Sequence, residues 1–205
     1  MQPEEDEEIQ SFRKWSSSSR RPGIGGSSHV TPCEFIPLSA VKEYFEANQR
    51  VENLLVSLFG TEASRIDAEA VRNHYLRPLA ILLFLGEGPM IKRFVRFRSL
   101  QDQHLPYRTL PKDFPKNADP NFFENFHKQQ WQFCAAELEY KMDLYLYAED
   151  ILPVKHKSEI GRGGDAVVFE ITVHEEYNKL VPPQWKMPVL LDSTSLLGLK
   201  SLTSN

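Results

Sequence analysis

Between Lys157 and Val173 the chain reads Lys-Ser-Glu-Ile-Gly-Arg-Gly-Gly-Asp-Ala-Val-Val-Phe-Glu-Ile-Thr-Val. Gly161, Gly163 and Gly164 stand beside a β-branched and apolar run from Val167 to Val173. Glycine tolerates positive φ and close backbone approach, and β-branched residues fit a pleated, half-buried surface. The spacing predicts strand, glycine turn, strand, with Ile160 just ahead of the turn. Such a hairpin can lay backbone N–H groups over a phosphate, or serve as a purely structural turn.

Other chemistries find little support. The chain has no Gly-x-Ser-x-Gly elbow, and His174-Glu175 lacks the second histidine of a His-Glu-x-x-His zinc helix. The six histidines form no ligand cluster, so no metal site is identified. Cys134, set among Phe133, Ala135 and Ala136, reads as a buried core thiol and not a nucleophile. Cys33 is the only other cysteine. Two cysteines make no disulfide framework, and an intracellular, cytoplasmic location is the simplest reading.

The glycine segment resembles the glycine-rich loop of protein kinases, Gly-x-Gly-x-x-Gly-x-Val. Gly161 and Gly163, with Arg162 between them and Gly164 after, take the first two glycine positions. Ala166 stands at the third, and Val168 matches the valine that packs on adenine. Leu197-Gly-Leu-Lys200 resembles the family's Val-Ala-x-Lys strand. That resemblance makes Lys200 the phosphate-binding residue and Gly198 the small residue near the adenine. Pro182, Pro183 and Pro188 suggest an inserted loop between the strands. Asp165 puts negative charge near the phosphates, so the ATP that the resemblance implies is expected to bind weakly.

The wider layout is similar to a group of fungal kinase-like proteins of the serine/threonine type. Phe35-Ile-Pro-Leu-Ser39, His104-Leu-Pro106, Gln130-Trp-Gln-Phe133 and Ile151-Leu-Pro153 carry that likeness. The family's His-Arg-Asp catalytic loop and Asp-Phe-Gly metal motif do not occur in these 205 residues. The chain stops at Asn205, just past Lys200, so the expectation is a kinase-like protein truncated before its catalytic lobe. No catalytic residue is assigned. The alternative is a non-catalytic helical protein-interaction module whose glycine hairpin is structural.

Several elements must position that hairpin. Residues 1–32 combine an acidic run, Ser16 to Ser19 and a glycine-rich stretch, and read as a disordered tail in which Trp15 is exposed. Residues 33–104 read as a helical module. Ser39 is the expected N-cap of a first helix carrying Val41, Tyr44, Phe45, Asn48, Val51, Leu55, Leu58 and Phe59, ended by Gly60. Asp67 caps a second, which Pro78 kinks or restarts and Gly86 stops. Pro89 opens a third, with Ile91, Phe94 and Val95 inward and Lys92, Arg93, Arg96 and Arg98 on a solvated face. Residues 105–150 read as a proline-rich connector and an aromatic helical segment, and 151–205 as a partial kinase-like N-lobe.

The fold class expected is therefore α+β. A 41% hydrophobic fraction supports a core, and a net charge of -4 offers no footprint for nucleic acid. The longest apolar run, Leu79 to Leu85, is far short of a membrane span of about 20 residues. Nucleotide and a protein are the partners left open.

Overall fold

Phe12 and Trp15 stand three residues apart in helix α1 (Glu7–Ser18), a spacing that places both on one helical face. In the computed structural model, which describes residues 7–26, 32–139, 147–162, 167–180 and, for backbone, 194–197, that face is covered. Phe12 is fully buried, and its ring meets Tyr44 and Phe45 at centroid distances of 5.8 and 6.2 Å. Trp15 stacks on Tyr44 at 4.3 Å. The expected disordered tail over residues 1–32 is thus corrected across this helix and two strands, β1 (Arg21–Gly25) and β2 (Pro32–Phe35). Composition averages over the segment, whereas two aromatics on one helical face suffice to dock it. Residues 1–6 and 27–31 lie outside the described set.

The chain divides into two units, Met1–Arg21 with Ile36–Cys134, and Pro22–Phe35 with Ala135–Asn205. The first is helical. Helix α2 (Leu38–Glu46) starts after Pro37 with no side-chain cap, so Ser39 lies inside the helix and not at its N-cap. The predicted single helix through Phe59 is two. It breaks at Asn48 and Gln49, whose φ values of 53° and 54° are left-handed, before α3 (Arg50–Phe59). Asn48 is the one polar member of the predicted apolar stripe, and asparagine is among the side chains that tolerate this conformation.

Helix α4 (Ala68–His74) is capped as expected: the Ala70 amide donates to Asp67 Oδ1 at 2.9 Å. The chain restarts at Tyr75 as α5 (Leu76–Leu85), with Pro78 in its first turn and Gly86 at φ 76° closing it. Helix α6 (Ile91–Phe94) follows a 3₁₀ turn that contains Pro89, and both Ile91 and Phe94 are buried. Of its basic residues, Lys92 pairs with Glu62 at 2.8 Å and Arg93 donates to the Lys116 carbonyl.

The connector does not stand apart from this unit. Tyr107, Phe114 and Phe122 join Phe94 and Phe126 in one aromatic cluster, which brings helix α7 (Phe122–Gln130) onto the core. The boundary falls at Cys134, not at 104, because these rings have nowhere else to hide. Gln130 is fully buried and grips Tyr107 twice. The Tyr107 amide donates to its Oε1 at 2.7 Å, and its Nε2 donates to the Tyr107 carbonyl at 2.9 Å.

The second unit is built from strands. β3 (Leu138–Glu139) is parallel to β7 (Asn178–Lys179). β4 (Ile151–Leu152) pairs antiparallel with β1, whose other neighbour is β2. Here the glycine-rich stretch is required by crowding. A Cβ on Gly26 would lie 2.3 Å from the Tyr147 carbonyl oxygen, and one on Gly23 would lie 2.8 Å from that of Leu152. Phe35 is fully buried and takes His174 and Tyr177 edge-on at 5.0 and 5.4 Å. A third sheet joins β5 (Val154–Arg162), β6 (Val167–Val173) and β8 (Thr194–Leu197) in that order. Helix and sheet together make the α+β class expected. Among the described residues, no helix is long and apolar enough to cross a membrane.

Candidate functional site at the glycine hairpin

β5 and β6 form the antiparallel hairpin expected from the β-branched run, but Gly161 and Arg162 lie inside β5 and not in a turn beginning straight after Ile160. Lys157 stands opposite Ile171, Glu159 opposite Phe169, Gly161 opposite Val168 and Arg162 opposite Val167. A register shift falls between Glu159 and Gly161, so the strand is irregular where it approaches the glycines. Along β6, Ile171 and Val173 are buried while Val168 is 36% exposed. Alternation of this kind separates a packed face from an open one.

Gly161 differs from Gly23 and Gly26. Among the described residues a Cβ placed there would meet nothing within 4 Å, and its φ is not positive. Neither packing nor backbone conformation demands glycine at this position, and the backbone lies open to an approaching group. Arg162 is engaged: its Nε and a terminal nitrogen donate to the two carboxylate oxygens of Glu159, each at 3.0 Å. That bond holds the Glu159 carboxyl below its ordinary range and raises the guanidinium above its own. Gly163, Gly164, Asp165 and Ala166 lie outside the described residues, as do Gly198 and Lys200.

β8 adds a relationship that spacing along the chain does not reveal. It runs antiparallel to β6 with Leu197 opposite Phe169 and Thr194 opposite Thr172, which brings the segment before Gly198 beside the strand carrying Val168. Two further features escaped the reading of the residues. Ile160 is 50% exposed beside the glycines, so two large apolar side chains, Ile160 and Val168, reach solvent on this hairpin. Lys157 lies with Nζ 3.8 Å from the Phe169 ring centroid, and burial pulls its ammonium pKa down. Alternation could have signalled the exposed valine, but nothing in sequence order pairs Lys157 with Phe169.

Cys134 is the buried thiol expected. Burial pushes its pKa up to about 12, with Arg77 acting in the opposite direction. Among the described residues, no group of three histidine, cysteine or acidic side chains is placed to hold a metal.

No protein-family model matches this chain, and comparison with curated proteins and with solved structures finds no match.

Proposed function

We propose that β5, β6 and β8 carry the start of a protein-kinase-like N-lobe, whose glycine hairpin binds ATP weakly, and that the chain transfers no phosphoryl group by itself. The observation that supports this most is the antiparallel order β5-β6-β8, with Leu197 opposite Phe169. On this reading Val168 covers a ring, Gly198 is the small residue near it and Lys200 offers one cation to a phosphate, beside the open backbone at Gly161. A strand hairpin offers a nucleotide an open surface, whereas tight sites bury about 70–90% of a ligand. His-Arg-Asp and Asp-Phe-Gly, which supply the base and the magnesium ligand in the family, do not occur in the sequence.

A second reading, a helical interaction module with a structural hairpin, draws on one observation: the Arg162 guanidinium is already satisfied by Glu159. Calorimetry with ATP and magnesium on the wild type and on Lys200→Ala separates the two. The first reading expects affinity on the order of -5 kcal/mol or less favourable, weakened further by the substitution. Submicromolar binding, or binding indifferent to Lys200→Ala, means that the site is elsewhere. Absence of heat up to millimolar ATP leaves the interaction module.

A further inference from the structure

A groove of about 310 Å³ in the helical unit is lined by Trp15, Ser19, Arg21, Glu43, Tyr44 and Arg50. Tyr44 is only 6% exposed, and its hydroxyl is buried without a hydrogen-bond partner among the described residues. Buried hydroxyls in folded proteins are almost always satisfied, so this one marks a position where a polar group belongs. The Arg50 guanidinium lies 4.3 Å from the Tyr44 ring centroid, a stacking that fixes its plane and leaves its N–H edge available. Arg21 spends one terminal nitrogen on the Arg20 carbonyl at 3.0 Å and keeps its remaining donors. Among the described residues, neither Arg21 nor Arg50 has a carboxylate partner. The left-handed pair Asn48 and Gln49 immediately precedes Arg50, so a costly backbone turn aims this side chain.

We infer that this groove is an anion site for a phosphate monoester, held by the forks of Arg21 and Arg50 with the hydroxyls of Tyr44 and Ser19 as further donors. Two guanidiniums matched to one tetrahedral anion give bidentate, charge-assisted bonds. The volume is at the small end of ligand sites, which suits one phosphorylated side chain or a phenyl phosphate. Glu43 is the one carboxylate in the lining, and it opposes the anion. The site is independent of the glycine hairpin.

The test is calorimetry of the full chain with phenyl phosphate, inorganic phosphate and a phosphoserine peptide. Binding of phenyl phosphate is expected. A loss of about tenfold or more is expected in Arg21→Met and in Arg50→Met, with a gain of severalfold in Glu43→Gln. Tyr44→Phe is expected to weaken binding while leaving thermal stability unchanged or raised, which keeps the proposal testable even where Arg50→Met unfolds. Stronger binding of the peptide than of the free esters assigns the groove to a phosphoprotein, and the reverse assigns it to a small metabolite. No binding at about 10 mM, binding unchanged in Arg21→Met and Tyr44→Phe, or binding lost only in Lys200→Ala would overturn the proposal.

Discussion

Asp102 ties off the N-terminus of helix α5 and, with the same carboxylate, meets the side chain of Arg77 in the helix's first turn. Its two oxygens accept from the Leu76 and Arg77 amides at 2.9 and 2.8 Å, and Arg77 Nε lies 3.5 Å from Oδ1. Arg77 also reaches the Asp102 carbonyl and Cys134 Sγ. A carboxylate at a helix N-terminus satisfies orphan amides and the helix dipole together. Asp102→Ala leaves those amides and a mostly buried guanidinium without it. A loss of about 3 kcal/mol of stability is expected from urea denaturation; a loss under about 1 kcal/mol would show that water replaces the carboxylate.

Helix α1 is held to the core through Phe12. Phe12→Ala should cost about 3–4 kcal/mol. It should also release residues 7–18 to protease cleavage well below the global unfolding midpoint. Equal cleavage of wild type and variant would mean that α1 does not dock in solution.

Cys134 and the pH profile of stability are linked. The thiol pKa rises from 9.0 to about 12 on folding, chiefly through burial. Above pH 9 the unfolded chain loses this proton while the folded chain keeps it, so stability falls as pH rises from 9 toward 12. Below pH 9 both states hold the proton and the thiol contributes no slope. The maximal slope is about 1.4 kcal/mol per pH unit. Cys134→Ala should flatten the decline between pH 9 and 10.5, and identical slopes would contradict the assignment. Cys33, half-buried, should react with thiol reagents long before Cys134 in the folded protein.

Gly161 and Gly26 give opposite outcomes for one chemical change. Gly26→Ala drives a Cβ into the Tyr147 carbonyl and should cost about 2 kcal/mol or more. Gly161→Ala meets open space and should leave stability within about 0.5 kcal/mol, while weakening any ATP binding at the hairpin. ATP affinity unaffected by Gly161→Ala would remove this glycine from the site.

Purified chain incubated with labelled ATP, magnesium and a generic protein substrate should transfer no label above a buffer control. Transfer that persists through purification would show that other groups supply the base and the metal ligand.

The β5–β6 hairpin, the Asp67 cap and the stops at Gly60 and Gly86 were legible because each rests on local chemistry: branching, a short carboxylate, a missing Cβ. The docking of α1 was not, because Phe12 acquires its role from Tyr44 and Phe45, more than thirty residues away. The reach of the helical unit to Cys134 was hidden by prolines that forbid regular structure without forbidding burial. At the candidate site, glycines and valine were readable, whereas the adjacency of β6 and β8 is a property of strand order.

The pair of hydrogen bonds between Gln130 and Tyr107 has a consequence for measurement. A carboxamide carries the same donor and acceptor as a peptide group, so Gln130 acts as a one-residue strand inserted from a helix. Prolines at 106 and 111 remove amides from this stretch, and Tyr107 supplies one of the few that are both present and sealed. In hydrogen exchange its amide should stand out as a slow signal among fast neighbours. It can then serve as a native probe of when the connector lets go of the helices. Gln130→Met removes the acceptor of the Tyr107 amide and should turn that slow proton into a fast one.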